Sequence, residues 1–267
     1  MGILPKKAVR SSFIIKEKFH LSPHYIRIIF DMCDEQLALF KNVKIGGNNK
    51  IFLPIEGQNH TIFPGELSTE ETLSTTRRTY TTRHIDWVNK EMWIDFISHG
   101  DNGPASYWVN RADVGSKLSV AMKESSKPLF PVAQEYFFIG DSTALPLIGA
   151  MLEQLPKKVN VSCMIEIFGK EDELKLFSKA NLKVQWIYND HPELGSCLAQ
   201  KVGEKTLLAG ERFVYAAGEY STAKKLREYF KDELGWSKDE YTIVSYWKRG
   251  ESEDQSVLQR QEERKIN

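Results

Sequence analysis

Arginine, tyrosine and threonine side chains stand together in one short stretch of this sequence, Arg78 to Arg83. An arginine fork matches the oxygens of a phosphate, a tyrosine ring can stack on a flat ligand, and a threonine hydroxyl can bond the polar edge of that ligand. The stretch therefore favours a site for an aromatic ligand that carries phosphate. A polar strand with exposed arginines remains the alternative, because short motifs often arise by chance.

The geometry of a strand divides these side chains between two faces. In an extended chain, Arg78 and Tyr80 share one face, whereas Thr81 and Arg83 lie on the other. A bulge or a strand end would bring neighbouring side chains together.

A second candidate stretch runs from His99 to Trp108 and follows an apolar segment. Gly103 permits backbone angles that other residues resist, and Pro104 suits the first position of a helix. A helix start presents backbone N–H groups and a positive dipole end, which together form a ready anion site. An ordinary connection between a strand and a helix is the other interpretation.

A third candidate stretch, Gly140 to Pro146, ends an apolar run and precedes a helical pattern. Asp141 or Ser142 could cap that helix, or the backbone there could receive a phosphate. Ala216 to Glu219 ends a later apolar run in the same way. The chain has no GxGxxG sequence, so the common dinucleotide fingerprint is absent.

Two types of element position these stretches. The first half shows short alternating segments separated by turn residues, which predicts an antiparallel β-barrel or sandwich. The predicted strands are 12–18, 25–30, 49–54, 78–84, 90–97 and 117–122.

From about Tyr136 onward, apolar strands alternate with helices, which predicts a parallel sheet with helices on both faces. The predicted strands are 136–140, 159–168, 182–188, 212–217 and 241–247, and the predicted helices are 143–155, 171–180 and 221–234. Trp186 is expected in the core of this sheet. We therefore predict a β-barrel domain over residues 1–130, an α/β domain over 131–250 and a charged tail over 251–267.

Composition excludes several classes of function. The 267 residues include 36 basic and 36 acidic side chains, so no global charge favours nucleic acid. No apolar run approaches the roughly 20 residues that span a bilayer, and no secretory signal is evident. The three cysteines form no CxxC pair, and the six histidines are scattered. We therefore expect no metal site, no nucleic acid, no stable membrane insertion, a cytoplasmic location and a monomer.

Five stretches, taken in order, resemble the siderophore-interacting protein family, flavoproteins that reduce ferric siderophores within the wider ferredoxin-reductase-like group. The resemblance covers roughly residues 10–250. The stretches are Arg78 to Arg83, His99 with Gly103 to Trp108, Gly140 to Pro146, Ala217 to Glu219, and Tyr246 to Gly250.

The resemblance implies that FAD binds to the barrel. Arg78 would hold the pyrophosphate, Tyr80 would flank the isoalloxazine ring, and Thr81 would bond near its reactive nitrogen. The remaining residues expected around the cofactor are Thr79, Arg83, His99, Gly103, Ala105, Ser106, Trp108 and Trp247.

The resemblance also implies two further sites. A nicotinamide nucleotide, NADH or NADPH, would bind near Asp141, Thr143, Gly218 and Glu219. A basic cluster would recruit the anionic ferric siderophore, with members at Lys50 and at Lys248 or Arg249, and with Lys123 and Lys127 as candidates for a third position. The sequence departs from the family pattern at Ser142, Ser245 and Lys248.

Three functions follow as hypotheses. The first is an NAD(P)H-dependent and FAD-dependent ferric-siderophore reductase, in which the flavin carries the chemistry and no protein residue is catalytic. The second is a flavin reductase that serves a ferredoxin or another electron carrier. The third is a non-enzymatic module that binds ferric chelates. The choice between NADH and NADPH stays open, because Lys170 could meet a 2′-phosphate whereas Glu171 and Asp172 could accept from a ribose hydroxyl.

Overall fold

A computed structural model describes residues 8–54, 76–98, 100, 103–205 and 210–251. The chain divides into two compact units, Met1–Leu129 and Phe130–Asn267. His99 and the predicted tail beyond residue 251 lie outside the described residues.

The first unit is a closed barrel in which every neighbouring pair of strands is antiparallel, in the order β1-β2-β5-β4-β3-β6. The barrel prediction is thus confirmed, and the sandwich alternative is wrong. The strands are β1 (Ala8–Ser22), β2 (Tyr25–Asp31), β3 (Asn48–Leu53), β4 (Thr76–Asp86), β5 (Glu91–Ile97) and β6 (Lys117–Lys123).

Alternation explains why these segments close around one core. Phe13, Ile28, Ile51, Ile94 and Val120 come from different strands, and each has no exposed surface. Two helices accompany the barrel, α1 (Asp34–Phe40) and α2 (Pro104–Arg111). Helix α2 packs onto this core through three apolar side chains, Ala105, Val109 and Ala112 of its following cap.

The second unit is a five-stranded parallel sheet in the order β11-β10-β7-β8-β9, which confirms the predicted α/β architecture. The strands are β7 (Glu135–Asp141), β8 (Asn160–Ile167), β9 (Asn181–Tyr188), β10 (Arg212–Glu219) and β11 (Tyr241–Trp247). The helices are α3 (Leu145–Gln154), α4 (Leu198–Gly203) and α5 (Tyr220–Glu228), and α5 continues as a π-helical turn over Tyr229–Glu233.

The helix predicted over 171–180 is wrong. Only a short 3-10 turn forms, Lys170–Asp172, and the following chain is irregular. Leu174 and Leu176 are two residues apart, a spacing that suits an extended chain rather than a helix. Ser178 also donates its hydroxyl to the carbonyl of Leu152 at 2.7 Å, which fixes the segment against the end of α3.

The core position predicted for Trp186 is also wrong. Trp186 lies on β9, which is an outer strand of the sheet, and its side chain is only partly buried. An apolar run alone could not distinguish a central strand from an edge strand, because that distinction depends on the sheet order. No helix among the described residues is long and apolar enough to cross a membrane.

Candidate functional site

Strand β4 turns the aromatic ring of Tyr80 toward the inside of the barrel. Asn49 on β3 faces Tyr80, and Ile51 faces Arg78, so these four residues share the inner side of the sheet. The Tyr80 ring lies 4.5 Å from the ring of Phe96 on β5, measured between centroids.

The aromatic row continues into helix α2. The centroid of Phe96 lies 5.6 Å from that of Trp108, whereas Phe96 itself has no exposed surface. Tyr80 and Trp108 are partly buried and pack against the same core. The row therefore offers two accessible rings around a buried one, an arrangement that suits stacking against a flat ligand.

A bulge in β4 displaces Arg83 from the regular alternation. Thr82 pairs with Ile94 of β5 and His84 pairs with Trp93, so Arg83 is the extra residue. Thr81 and Thr82 are consecutive and both buried. Nε of Arg83 lies 3.9 Å from a carboxylate oxygen of Asp95, a partner that the sequence did not reveal.

The start of helix α2 has the features of an anion site. Gly103 precedes it with a φ of 89°, a conformation that favours glycine, and no described side chain caps the helix. Ala105 and Ser106, in the first turn, are buried, and the Ser106 hydroxyl donates to the carbonyl of Ile97 at 3.3 Å. Tyr107 donates its backbone N–H to the carbonyl of Gly103 at 2.9 Å.

These features of the first unit fit FAD. The guanidinium of Arg78 and the start of α2, which no described side chain caps, could donate to a diphosphate, and the rings of Tyr80 and Trp108 could pack against a tricyclic ring. Arg78 also donates to the carbonyl of Arg77 at 2.8 Å, and Thr79 accepts a hydrogen bond from the ammonium of Lys50.

Asp141 is the centre of a hydrogen-bond network in the second unit. One of its carboxylate oxygens accepts from the backbone N–H of Thr143 at 2.9 Å and from the Thr143 hydroxyl. The other accepts from the backbone N–H of Glu219 at 2.9 Å and from the indole of Trp247 at 2.8 Å. Burial raises the pKa of Asp141, against the hydrogen bonds from Thr143 and Trp247, which lower it.

Glu219 caps helix α5. Its side chain accepts from the backbone N–H of Ser221 at 2.6 Å and of Thr222 at 3.3 Å, and its other oxygen accepts from the backbone N–H of Arg249 at 3.4 Å. Burial alone would raise the pKa of Glu219, but the hydrogen bonds from Ser221, Arg249 and Thr222 outweigh burial and lower it.

Two of the helix starts at this edge of the sheet, those that follow β7 and β10, are thus capped by the chain's own carboxylates. Asp141 caps the short 3-10 turn (Ser142–Ala144) that leads into α3, and Glu219 caps α5. The sequence left open whether Asp141 or Ser142 caps the helix after Gly140 or whether the backbone there receives a phosphate. The geometry favours the cap by Asp141. The hydrogen bonds of Asp141, Thr143 and Glu219 are directed largely within the protein.

Close packing explains two glycines of this network. A Cβ atom on Gly140 would lie 2.4 Å from the Cβ of Ala144, and one on Gly218 would lie 2.5 Å from a carboxylate oxygen of Asp141. Gly218 also has a φ of 153°, which disfavours other residues. The approach of β7 to β10 therefore requires glycine at both positions.

A small cleft lies beside this network and brings in Glu166, which sequence reasoning missed. Glu166 is 6% exposed and accepts from Asn189 at 3.1 Å and from the Ser196 hydroxyl at 2.7 Å. Burial, with a contribution from the charge of Asp141, raises the pKa of Glu166. The sequence feature that could have revealed Glu166 is a lone carboxylate near the end of an apolar strand. The structure places it opposite Asp141 on the neighbouring strand.

The basic residues predicted for the chelate fall into two groups. In the first unit, Lys50 lies on the outer side of β3 and faces Ala121 of β6. Lys123, two residues further along β6, shares that outer side, whereas Lys127 lies beyond the strand, and its carbonyl accepts from Lys44.

In the second unit, Lys248 forms an ion pair with Glu251 and lies 5.3 Å from the ring of Tyr220. Arg249 lines the cleft beside Glu166 and Glu219. Within the described ranges, no group of three or more His, Cys, Asp or Glu side chains is arranged to hold a metal ion.

Comparison with known proteins places the chain in one family. The model of the siderophore-interacting FAD-binding domain matches residues 14–124, and the model of the siderophore-interacting protein matches residues 133–250. The ferric vibriobactin reductase ViuB of Vibrio cholerae is 25% identical over 242 residues, which cover 89% of each chain.

Solved structures agree with this placement. The siderophore-interacting protein SipS from Aeromonas hydrophila superposes with a TM-score of 0.79 at 26% identity, covering 95% of this chain and 97% of SipS. The ferredoxin-NADP+ reductase from Plasmodium falciparum shares the fold alone, with a TM-score of 0.63 at 13% identity over 88% of this chain and 95% of the reductase. The barrel with its matching FAD-binding domain and the parallel sheet that follows show that this chain belongs to the siderophore-interacting protein family.

Proposed function

We propose that this chain is an FAD-dependent reductase of ferric siderophores and that a nicotinamide nucleotide supplies its electrons. The observation that carries the proposal is that Arg78, Tyr80, Trp108 and the start of α2, which has no side-chain cap among the described residues, lie in one unit, over the residues that match the FAD-binding family model. ViuB, which is similar over most of its length, is a ferric vibriobactin reductase.

Bound FAD supplies the redox chemistry, because a flavin takes two electrons from a nicotinamide and can return them singly to iron(III). The protein binds and orients it. Tyr80 and Trp108 would pack against the ring system and exclude water, Thr81 would bond its polar edge, and Arg78 with the start of α2 would hold the diphosphate. Arg83, Gly103, Ala105 and Ser106 complete the proposed contacts.

The chelate would approach through positive charge. Lys50 and Lys123 share the outer side of β3 and β6, which supports Lys123 rather than Lys127 as the third basic position. Lys248 and Arg249, in the second unit, stay predicted contacts of the chelate. Iron(II) binds hard-oxygen chelators less tightly than iron(III) does, so reduction would release the metal without a protein ligand.

The proposed electron donor, a nicotinamide nucleotide, would bind to the second unit. Asp141, Thr143, Gly218 and Glu219 lie together at the carboxyl edge of the parallel sheet, where such folds bind nucleotides. Carboxylates there can accept from ribose hydroxyls, and the Trp247 indole closes the same network.

One observation favours a second donor, a ferredoxin. The helix starts that follow β7 and β10 are capped by Asp141 and Glu219, so these two positions, where such folds often hold a diphosphate, carry negative charge. Rapid mixing of the FAD-loaded protein with NADH, NADPH and reduced ferredoxin would separate the donors by the rate at which each bleaches the flavin.

The proposed place of action is the cytoplasm. Cys33, Cys163 and Cys197 are all unbridged, as is usual in a reducing compartment. The monomer expected from the sequence stays a prediction, which light scattering would test.

Titration of the purified apoprotein with FAD tests the cofactor site. We expect a stable yellow complex, and we expect Tyr80→Ala and Arg78→Ala each to weaken FAD binding. Tyr107→Ala is the matched control, because Tyr107 lies on α2 but is 37% exposed. No FAD binding by the wild-type protein would refute the proposal, and unchanged affinity in both site variants would refute the assigned roles.

A further inference from the structure

Strand β4 changes its neighbour within the stretch that the flavin site uses. Residues 76–81 pair with β3, whereas Thr82 and the residues after it pair with β5. Thr82 faces Ile94, so Asp95 is the first residue of β5 beyond the ladder. Beyond this point the rings of Tyr80 and Phe96 are tilted toward each other, with centroids 4.5 Å apart, on the inner side of the barrel.

Asp95 and Arg83 therefore lie where β4 and β5 separate. Arg83 is the bulged residue, and its Nε lies 3.9 Å from a carboxylate oxygen of Asp95. The Asp95 side chain is 1% exposed and that of Arg83 is 12% exposed. A bulge commonly redirects a side chain, and here it directs a guanidinium toward a buried carboxylate.

Asp95 is itself held in place by residues of β2. Arg27 donates from Nε to one carboxylate oxygen at 2.7 Å and from Nη2 to the other at 2.8 Å. The hydroxyl of Tyr25 is also hydrogen-bonded to Asp95, and burial raises the pKa of Tyr25 well above its ordinary value. A two-point fork of this kind fixes the plane of the carboxylate.

We propose that Asp95 is a positioning residue of the flavin site. Fixed by Arg27, it holds the Arg83 guanidinium on the outer side of β5, three residues after Tyr80 in the chain, so that Arg83 acts on the bound FAD. The inference rests on the proposed function, because it requires FAD at Tyr80. It assigns a role to two residues, Asp95 and Arg27, that the motif around Tyr80 does not include.

A positioning role makes a prediction that a purely structural role does not. If Asp95 acts through Arg83, the effect of replacing Asp95 on FAD must disappear once Arg83 is already replaced. If Asp95 only joins β2 to β5, its replacement would change FAD binding equally with or without Arg83.

The chain offers a matched control on the same strand. Glu91 lies four positions before Asp95 on the outer side of β5 and pairs with Lys16 at 2.8 Å. Glu91→Gln removes a strand-joining ion pair from the same element, at the other end of β5 from Asp95.

The experiment is a double-mutant cycle of Asp95→Asn and Arg83→Gln, read by the dissociation constant and the midpoint potential of FAD. We expect each single variant to weaken FAD by roughly fivefold to tenfold and the double variant to be no weaker than Arg83→Gln within about twofold. We also expect both single variants to lower the midpoint potential, because a nearby guanidinium favours the added negative charge of the reduced cofactor. Glu91→Gln should leave both readouts unchanged.

Independent, additive effects of Asp95→Asn and Arg83→Gln would overturn the inference, as would an equal loss in Glu91→Gln. If Asp95→Asn does not fold, the double variant Arg27→Gln/Asp95→Asn replaces it in the cycle. This double variant removes both partners of the ion pair, so neither charge of that pair is left without its partner. A wild-type protein that binds no FAD would instead defeat the proposed function. Normal FAD binding and potential in Asp95→Asn would defeat this inference alone.

Discussion

The indole of Trp247 donates a hydrogen bond to Asp141 at 2.8 Å and so joins the end of β11 to the end of β7. Strand β10 lies between these two strands in the sheet, and the backbone of Glu219 at its end donates to the same carboxylate oxygen. One partly buried carboxylate therefore joins the ends of three strands.

Trp247→Phe should weaken the second unit, because it removes the indole donor while keeping an aromatic ring. Loss of one partner of a buried charged acceptor costs about 1–3 kcal/mol. Urea unfolding followed by circular dichroism would measure the change in free energy of unfolding. Trp87→Phe, at a site 41% exposed, is the control and should have little effect. Equal stability of the two variants would show that the Asp141 bond contributes nothing.

Gly218→Ala should be destabilising by roughly 2–3 kcal/mol, since the new methyl group would meet the Asp141 carboxylate in a strained backbone conformation. That carboxylate cannot retreat easily, because Trp247 and the backbone of Glu219 hold it. Gly203→Ala is the matched control, because its Cβ would have only an ordinary contact at 4.0 Å with the ring of Tyr229. Thermal unfolding of both variants would test the difference, and a Gly218→Ala protein as stable as the wild type would contradict the close approach.

Glu166→Gln should gain stability relative to the wild type as the pH rises. Burial raises the pKa of Glu166 above its ordinary value of 4.5, so in the window just above that value the folded state binds more protons than the unfolded state. Wild-type stability therefore falls as the pH rises through this window, and the glutamine variant lacks that loss. Free energies of unfolding from pH 4 to about pH 7 would measure the difference. If the wild type instead became more stable relative to Glu166→Gln as the pH rises, the site would favour the ionised form of Glu166.

Lys50→Gln should raise the KM for an anionic ferric chelate about twofold to fivefold with little change in kcat, because an exposed charge contributes about 0.5–1 kcal/mol. The effect should shrink at high salt, where exposed charges are screened. Lys201→Gln, which removes an equal charge from α4, is the control. Steady-state kinetics at low and high salt would decide, and identical behaviour of the two variants would remove Lys50 from the chelate site.

The barrel and the parallel sheet could be predicted from sequence because alternation and the change to a helical period are local patterns. The helix predicted over 171–180 is wrong, and the two-residue spacing of Leu174 and Leu176 suits an extended chain instead. The core position predicted for Trp186 is wrong because β9 is an outer strand of the sheet. The order of the strands in a sheet cannot be read from any local sequence pattern.

The candidate sites show the same limit. Tyr80 and Arg78 could be recognised because they stand close together in the sequence. The partner of Arg83 could not, because Asp95 lies in an apolar strand and Arg27 comes from another strand altogether. Glu166 was missed for a similar reason, since its proximity to Asp141 arises only from the pairing of β7 with β8.

Anaerobic mixing of the FAD-loaded, reduced protein with a ferric siderophore, in the presence of an iron(II) trap, tests the central claim most directly. We predict that the oxidised flavin spectrum returns as iron(II) appears, with two iron(II) ions formed for each flavin. Tyr80→Ala, which should bind FAD weakly, should form iron(II) much more slowly. A reduced flavin that persists beside intact ferric chelate would contradict the claim that this chain is a ferric-siderophore reductase.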